Sequence, residues 1–291
     1  MDRRAARARG AVALAMVAAA RSSLGAQTTA PAGGERADYV SWLTTAPTSP
    51  LAAIAQQPIG AGLRLGPADA DVPLQGVPNQ RVTQRDGTIT LTSVDVVRPV
   101  ARGAPVRIGR YTLVADGPPG RAVLTVFGPQ HAGKLPLFYD SQAGVVFVGP
   151  LLPPETRGTV RVLGVDGIEV DAAEAGSVLV PMGGGRVRLR VRRLPTAGGE
   201  ESELEIFFRD ATNGGGTYPA GRFVALVPAR DGQYRLDFNR ARNPFCAYSS
   251  AYPCPAPWRG NVITVPVEAG ERYAGNAPDA SDAPPAAGAT P

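Results

Sequence analysis

The chain has 291 residues, 44% of them hydrophobic, a formal net charge of +5, one histidine and two cysteines. Its first 26 residues hold five Arg and one Asp and so account for four of those net charges; the high pI is then no argument for nucleic acid or an anionic membrane as partner. A single histidine, His131, excludes HExxH chemistry and any multi-histidine metal centre.

In chain order, the first element is an export signal. Arg3, Arg4, Arg7 and Arg9 precede an apolar run at 11–20 (AVALAMVAAA), and the small-residue stretch Leu24-Gly25-Ala26 before Gln27 suits cleavage. The sequence therefore predicts a signal peptide over 1–26 and a periplasmic or extracellular protein. The run is short of the roughly 20 residues that span a bilayer. No other segment is long and apolar enough, so no stable membrane insertion is expected. Residues 27–37 read as a flexible lead-in. Over 38–57, Tyr39, Trp42 and Leu43 stand at i, i+3 and i+4, which predicts a helix that Pro47 and Pro50 break, with a further turn at 51–56.

From Arg64 the pattern changes to short Val/Ile/Leu/Tyr/Phe runs between Gly, Pro and Asp turns, among them TITLTSV, VRIGRYTLVA, AVLTVFG, RVRLRVRRL, ELEIFF, RFVALVP, YRLDFN and NVITVPV. This predicts a mainly β fold, a single-domain sandwich or barrel over 38–273 with a short helical N-terminal segment. Residues 274–291 lack large apolar groups and are expected to be a disordered tail. Within the strands, Arg186, Arg188, Arg190 and Arg192 alternate with apolar residues, as do Glu201, Glu203 and Glu205 after a turn. Paired in a hairpin, these stripes share a face and read as a solvated ladder of ion pairs.

Several motifs dissolve on inspection. The segment 128–134 has GxxxxGK spacing, but Leu135 replaces the hydroxyl a phosphate loop needs and Pro136 prevents a following helix. Asp69 with Asp71, and Asp166 with Glu169 and Asp171, fall short of a calcium loop and read as turn residues. No metal or cofactor is expected. Cys246 and Cys254, an even count in an exported protein, are expected to form one disulfide.

The densest chemistry lies in 207–271. Asp210 and Thr212 are placed to cap the turn before Thr217. Tyr218, Arg222, Tyr248 and Trp258 offer amphipathic surface, and Asp237, Asn239, Asn243 and Asn261 offer orienting polar groups. The same residues can be a ligand pocket or a polar network that pins a long loop.

The motifs in this stretch resemble a known family of domains of unknown function, DUF1684. The resemblance is carried by Phe208, Asp210, Thr212, Gly214, Thr217, Tyr218, Gly221 and Arg222, then by Leu236, Asp237, Phe238, Asn239, Asn243, Pro244, Cys246, Ala247 and Tyr248, and further by Cys254, Pro255, Pro257, Asn261 and 269–271 (AGE). Arg242 departs from the pattern, standing where members often carry Tyr. The resemblance implies a location for the site and no reaction. Three functions stay open: a small-molecule or glycan-binding module, a structural or protein-interaction domain, and a hydrolase using Asp210 or Asp237. The balance leans away from an enzyme.

Overall fold

The structure, a computed structural model, describes residues 32–273 and Gly275, apart from Asp95, Ala197, Gly199, Glu200 and Pro257. The expected signal peptide, the start of the lead-in and the tail beyond 275 lie outside the described residues. The protein is mainly β with one short N-terminal helix, as the sequence predicts.

Helix α1 spans Ala32–Thr45 and so begins inside the stretch expected to be a flexible lead-in. Two contacts fix its start: Glu35 pairs with Arg240 at 2.6 Å, and Arg36 donates to the Tyr139 carbonyl at 2.9 Å. Leu43 is fully buried, and Ser49 Oγ donates to its carbonyl at 2.7 Å just past the helix end. The turn expected at 51–56 is a single 3-10 turn at Pro50–Ala52, and the chain is already extended from Ala53.

Nine strands follow: β1 (Ala53–Pro58), β2 (Leu63–Gly66), β3 (Val72–Pro73), β4 (Gln80–Arg85), β5 (Thr88–Thr92), β6 (Val97–Val100), β7 (Pro105–Ile108), β8 (Tyr111–Asp116) and β9 (Val123–Phe127). They form a four-stranded sheet, β1-β9-β8-β7, and a five-stranded sheet, β3-β2-β4-β5-β6. Both sheets contribute to one apolar core that includes Leu65, Val82, Leu91, Leu113, Leu124 and Val126. Their alternating patterns place one face of each sheet against the other.

The second half holds β10 (Leu137–Phe138), β11 (Val146–Gly149), β12 (Thr159–Leu163), β13 (Glu169–Met182), β14 (Gly185–Pro195), β15 (Ser202–Phe208), β16 (Arg222–Pro228), β17 (Tyr234–Asp237) and β18 (Glu271–Arg272). Seven of them form one sheet, β11-β17-β16-β15-β14-β13-β12, and β10 pairs with β18. The sheet is covered on both sides at β15. Leu204, Ile206 and Phe208 enter one core with Val191, Leu226 and Leu236. Phe207 enters another with Phe223, Leu194 and Trp258.

This double cover corrects the reading of the charged hairpin. β14 and β15 do pair, with Arg192 opposite Glu205, so the stripes share a face. At that rung, however, they are buried: Arg192 is 7% exposed and Glu205 6%. Arg192 turns to Glu174 at 3.6 Å and lies over the Trp258 ring at 4.5 Å, while the Glu205 carboxyl, buried near Arg242, is pushed up to about 7 by its burial. A third element closes over a face that a free hairpin would expose to water.

The apolar run at 261–267 is the other correction. It is irregular, and its one backbone bridge among the described residues is a parallel one between Arg209 and Val262. Pro266 lacks an N–H, and the amide and carbonyl of Val267 bond to side chains, Asp210 at 3.1 Å and Arg222 at 2.8 Å. Its backbone groups are satisfied without a ladder.

Candidate functional site

The sequence-predicted residues separate into three structural fastenings and one opening. The first fastening is centred on Arg222, which is fully buried. It enters β16 directly after Gly221, where φ is +117° and a Cβ would stand 2.5 Å from the Phe208 carbonyl oxygen, so only glycine lets β16 start this close to β15. One guanidinium nitrogen donates to Asp210 Oδ2 and to the Val267 carbonyl, each at 2.8 Å. The other donates to the carbonyls of Ala269 and Glu271. Asp210 Oδ1 meanwhile accepts from Thr212 N at 2.8 Å, Thr212 Oγ1 at 2.5 Å and Val267 N at 3.1 Å. Thr217 joins through Thr212 at 2.7 Å. Both Asp210 oxygens are thus engaged, and the pair ties residues 267–271 to the sheet.

Asp237 and Asn239 form a second fastening. Asp237 Oδ1 accepts from the Asn239 amide and side chain, and its Oδ2 accepts from Arg235 at 2.8 Å. The Asn239 side-chain amide pairs with both backbone groups of Gln142, at 2.9 and 2.8 Å, much as a neighbouring strand residue would. Asn261 does the same elsewhere. Its Oδ1 accepts from Arg190 N at 2.8 Å, and its Nδ2 donates to the carbonyls of Arg190 at 3.0 Å and Phe207 at 3.1 Å. It bridges β14 and β15 beyond the end of their ladder.

The opening, a small dent of about 10 Å³ that is partly open to solvent, lies between Asn243, Tyr248, Tyr273, Lys134, Leu135 and Arg272. Glu271, fully buried, sits beneath it, and its Oε2 accepts from Tyr248 OH at 2.6 Å and Asn243 N at 2.7 Å. Asn243 Nδ2 donates to the Arg272 carbonyl at 3.1 Å. Two buried acceptors here have no partner, Asn243 Oδ1 and Glu271 Oε1. Burial pushes the Glu271 carboxyl up to about 7, against the hydrogen bonds from Tyr248 and Asn243 that lower it. Burial also raises the Tyr248 phenol. Arg242, where the family pattern has Tyr, lies 5.9 Å from the Tyr39 ring centre and adds positive charge beside Glu205 and Glu271. Glu271 is the main residue that the site reading passed over; the one hint in the sequence was its place at the end of the AGE motif.

Tyr218, Arg222, Tyr248 and Trp258, expected to supply amphipathic surface to a pocket, are all buried, and of the four Tyr248 lines the opening. Tyr218 has a different neighbourhood, with its hydroxyl 3.1 Å from Cys254 Sγ and 3.3 Å from Cys246 Sγ. The two cysteines are free thiols in this structure rather than the expected disulfide; Cys246 is buried and Cys254 exposed. Among the described residues no group of three or more His, Cys, Asp or Glu side chains is arranged to hold a metal ion, and no helix is long and apolar enough to cross a membrane.

No curated protein matches the chain. An uncharacterized protein of Haloarcula marismortui, solved by solution NMR, is 30% identical, with 47% of this chain and 75% of that chain covered and a TM-score of 0.41. Residues 135–272, which hold every fastening described above and all of the opening's lining except Lys134 and Tyr273, match the family described as "Protein of unknown function (DUF1684)", and the chain belongs to that family.

Proposed function

We propose that this is an exported binding domain for a small hydrophilic ligand, a glycan unit or an organic acid, held at the opening over Asn243 and Tyr248. The observation that carries the reading is the Asn243 carbonyl oxygen: a buried acceptor without a partner, on a residue lining the opening. An orphaned buried acceptor costs about 1–3 kcal/mol, which a ligand hydroxyl or amine would recover. The opening itself holds about 10 Å³, room for about one polar group, so the ligand would insert a hydroxyl or amine there and rest the remainder on the surface. Lys134 and Arg272 on its lining favour an acidic ligand. Export follows from the leader at 1–26 and is tested by the N-terminal mass of protein recovered outside the cytoplasm. An intact leader there would contradict it.

The hydrolase reading loses support because the oxygens of Asp210 and Asp237 are engaged with Arg222, Thr212, Arg235 and Asn239. A purely structural domain is the second reading, and these networks, in which both carboxylates are engaged, favour it. A thermal-shift panel of uronic acids, hydroxy acids and neutral sugars separates the two. A ligand at one hundred times its Kd adds about 2.7 kcal/mol to stability, a rise of several degrees in Tm. Lys134→Glu is expected to reduce the rise for acidic ligands. No rise with any class would favour the structural domain.

A further inference from the structure

The two thiols lie apart from the opening's open acceptors and have a geometry of their own. Cys254 is on the surface in a Pro-Cys-Pro segment, and Cys246 is beneath it, 3% exposed. The Tyr218 hydroxyl reaches both sulfurs, Cys254 Sγ at 3.1 Å and Cys246 Sγ at 3.3 Å, and so holds them side by side. A structural staple needs two sulfurs in bonding range and nothing more. This site adds an accessible attacking sulfur, a sheltered second sulfur beside it, and a buried hydroxyl that can donate to whichever carries charge. We propose that Cys254 and Cys246 form a dithiol–disulfide exchange site, with Cys254 as attacking thiolate, Cys246 as resolving thiol and Tyr218 as the positioning residue, acting on disulfides of the glutathione or exposed-protein class.

Electrostatics agree with the geometry. The hydrogen bond from Cys246, and then that from Tyr218, hold the Cys254 thiolate and bring its thiol down to about 6. The same bond to Cys254, with burial, pushes the Cys246 thiol up. The exposed sulfur is the charged nucleophile and the buried one keeps its proton until needed. In the first step Cys254 attacks one sulfur of the incoming disulfide. A Cys254–S–S–R bond forms, the incoming S–S bond breaks, and the second half leaves as a thiolate that takes up a proton. Cys246 then loses its proton and attacks the Cys254 sulfur, breaking the bond to R and expelling the second thiolate. The chain gives up two electrons and two protons, and the partner disulfide becomes two thiols.

The test uses the purified folded chain with oxidised glutathione and intact-mass spectrometry. Wild type is expected to lose the mass of two hydrogens and retain no adduct. Cys246→Ser should hold a stable glutathione adduct on Cys254, and Cys254→Ser should form none while folded. Reduced glutathione in excess should return both thiols with the native circular dichroism intact. A variant that fails to fold leaves a wild-type measurement: iodoacetamide should label Cys254 before Cys246, with a pH midpoint below that of an ordinary thiol, and Tyr218→Phe should shift that midpoint upward. The proposal is overturned by an adduct on Cys246, by a Cys254 that is inert or has the midpoint of an ordinary thiol, or by a disulfide that reduces only after denaturation.

Discussion

At the scale of single residues, the polar groups that stand out in the sequence are mostly there to hold backbone. Asp210 and Thr212 were legible as a turn cap because short polar side chains bond the amides two residues on, and that is one of their contacts here. That Arg222 collects the carbonyls of 267, 269 and 271 was not legible. Those partners are some 45 residues away, and no local pattern encodes them. Removing one member of a fully buried ion pair leaves the other charge without compensation, a cost of about 3–5 kcal/mol. Arg222→Met is therefore expected to lower the urea midpoint strongly, by that amount when converted through an unchanged m-value. A loss below about 1 kcal/mol would show that the pair is not the fastening described.

At the scale of elements, strand type and hairpin register were legible, and cover was not. Period-two alternation placed Arg192 and Glu205 on one face, since pairing preserves parity. It could not reveal that Trp258 and its neighbours close over that face. The run at 261–267 looked like a strand because composition is silent on where its hydrogen bonds go. Its anchor is Asn261, whose side chain serves Arg190 and Phe207 together. Asn261→Leu should destabilise the protein by more than about 2 kcal/mol, because it strands several buried backbone groups. Hydrogen exchange is the informative probe. The Arg190 amide should lose protection while amides of β8 and β9 keep theirs. Equal loss in both would mean that Asn261 has no local role.

At the scale of the whole molecule, two buried carboxyls, Glu205 and Glu271, and the partly buried Asp166 make stability depend on pH in an unusual direction. Burial raises Asp166 to about 6, and Glu205 and Glu271 to about 7. The unfolded chain releases the same protons near pH 4, so over the interval from there to about pH 7 the folded form binds more protons. Their contribution is present in full below the unfolded values and is lost as pH rises through the folded ones. The thermal midpoint should therefore fall between about pH 4.5 and 7, and Glu205→Gln should flatten part of that slope. A rise through the window would contradict the assignment of these groups as buried without adequate countercharge.

Most of the C-terminal polar cluster is committed to structure, and its Asn243 end is the part proposed to meet a ligand. The measurement that addresses it most directly is a 1H–15N titration of the protein with a uronic acid. Saturable shifts are predicted at Leu135, Asn243, Tyr248 and Arg272, which line the opening. The amides of Asp210, Thr212 and Arg222 should stay still. Saturable shifts centred on those three amides, or none at any position, would contradict the account.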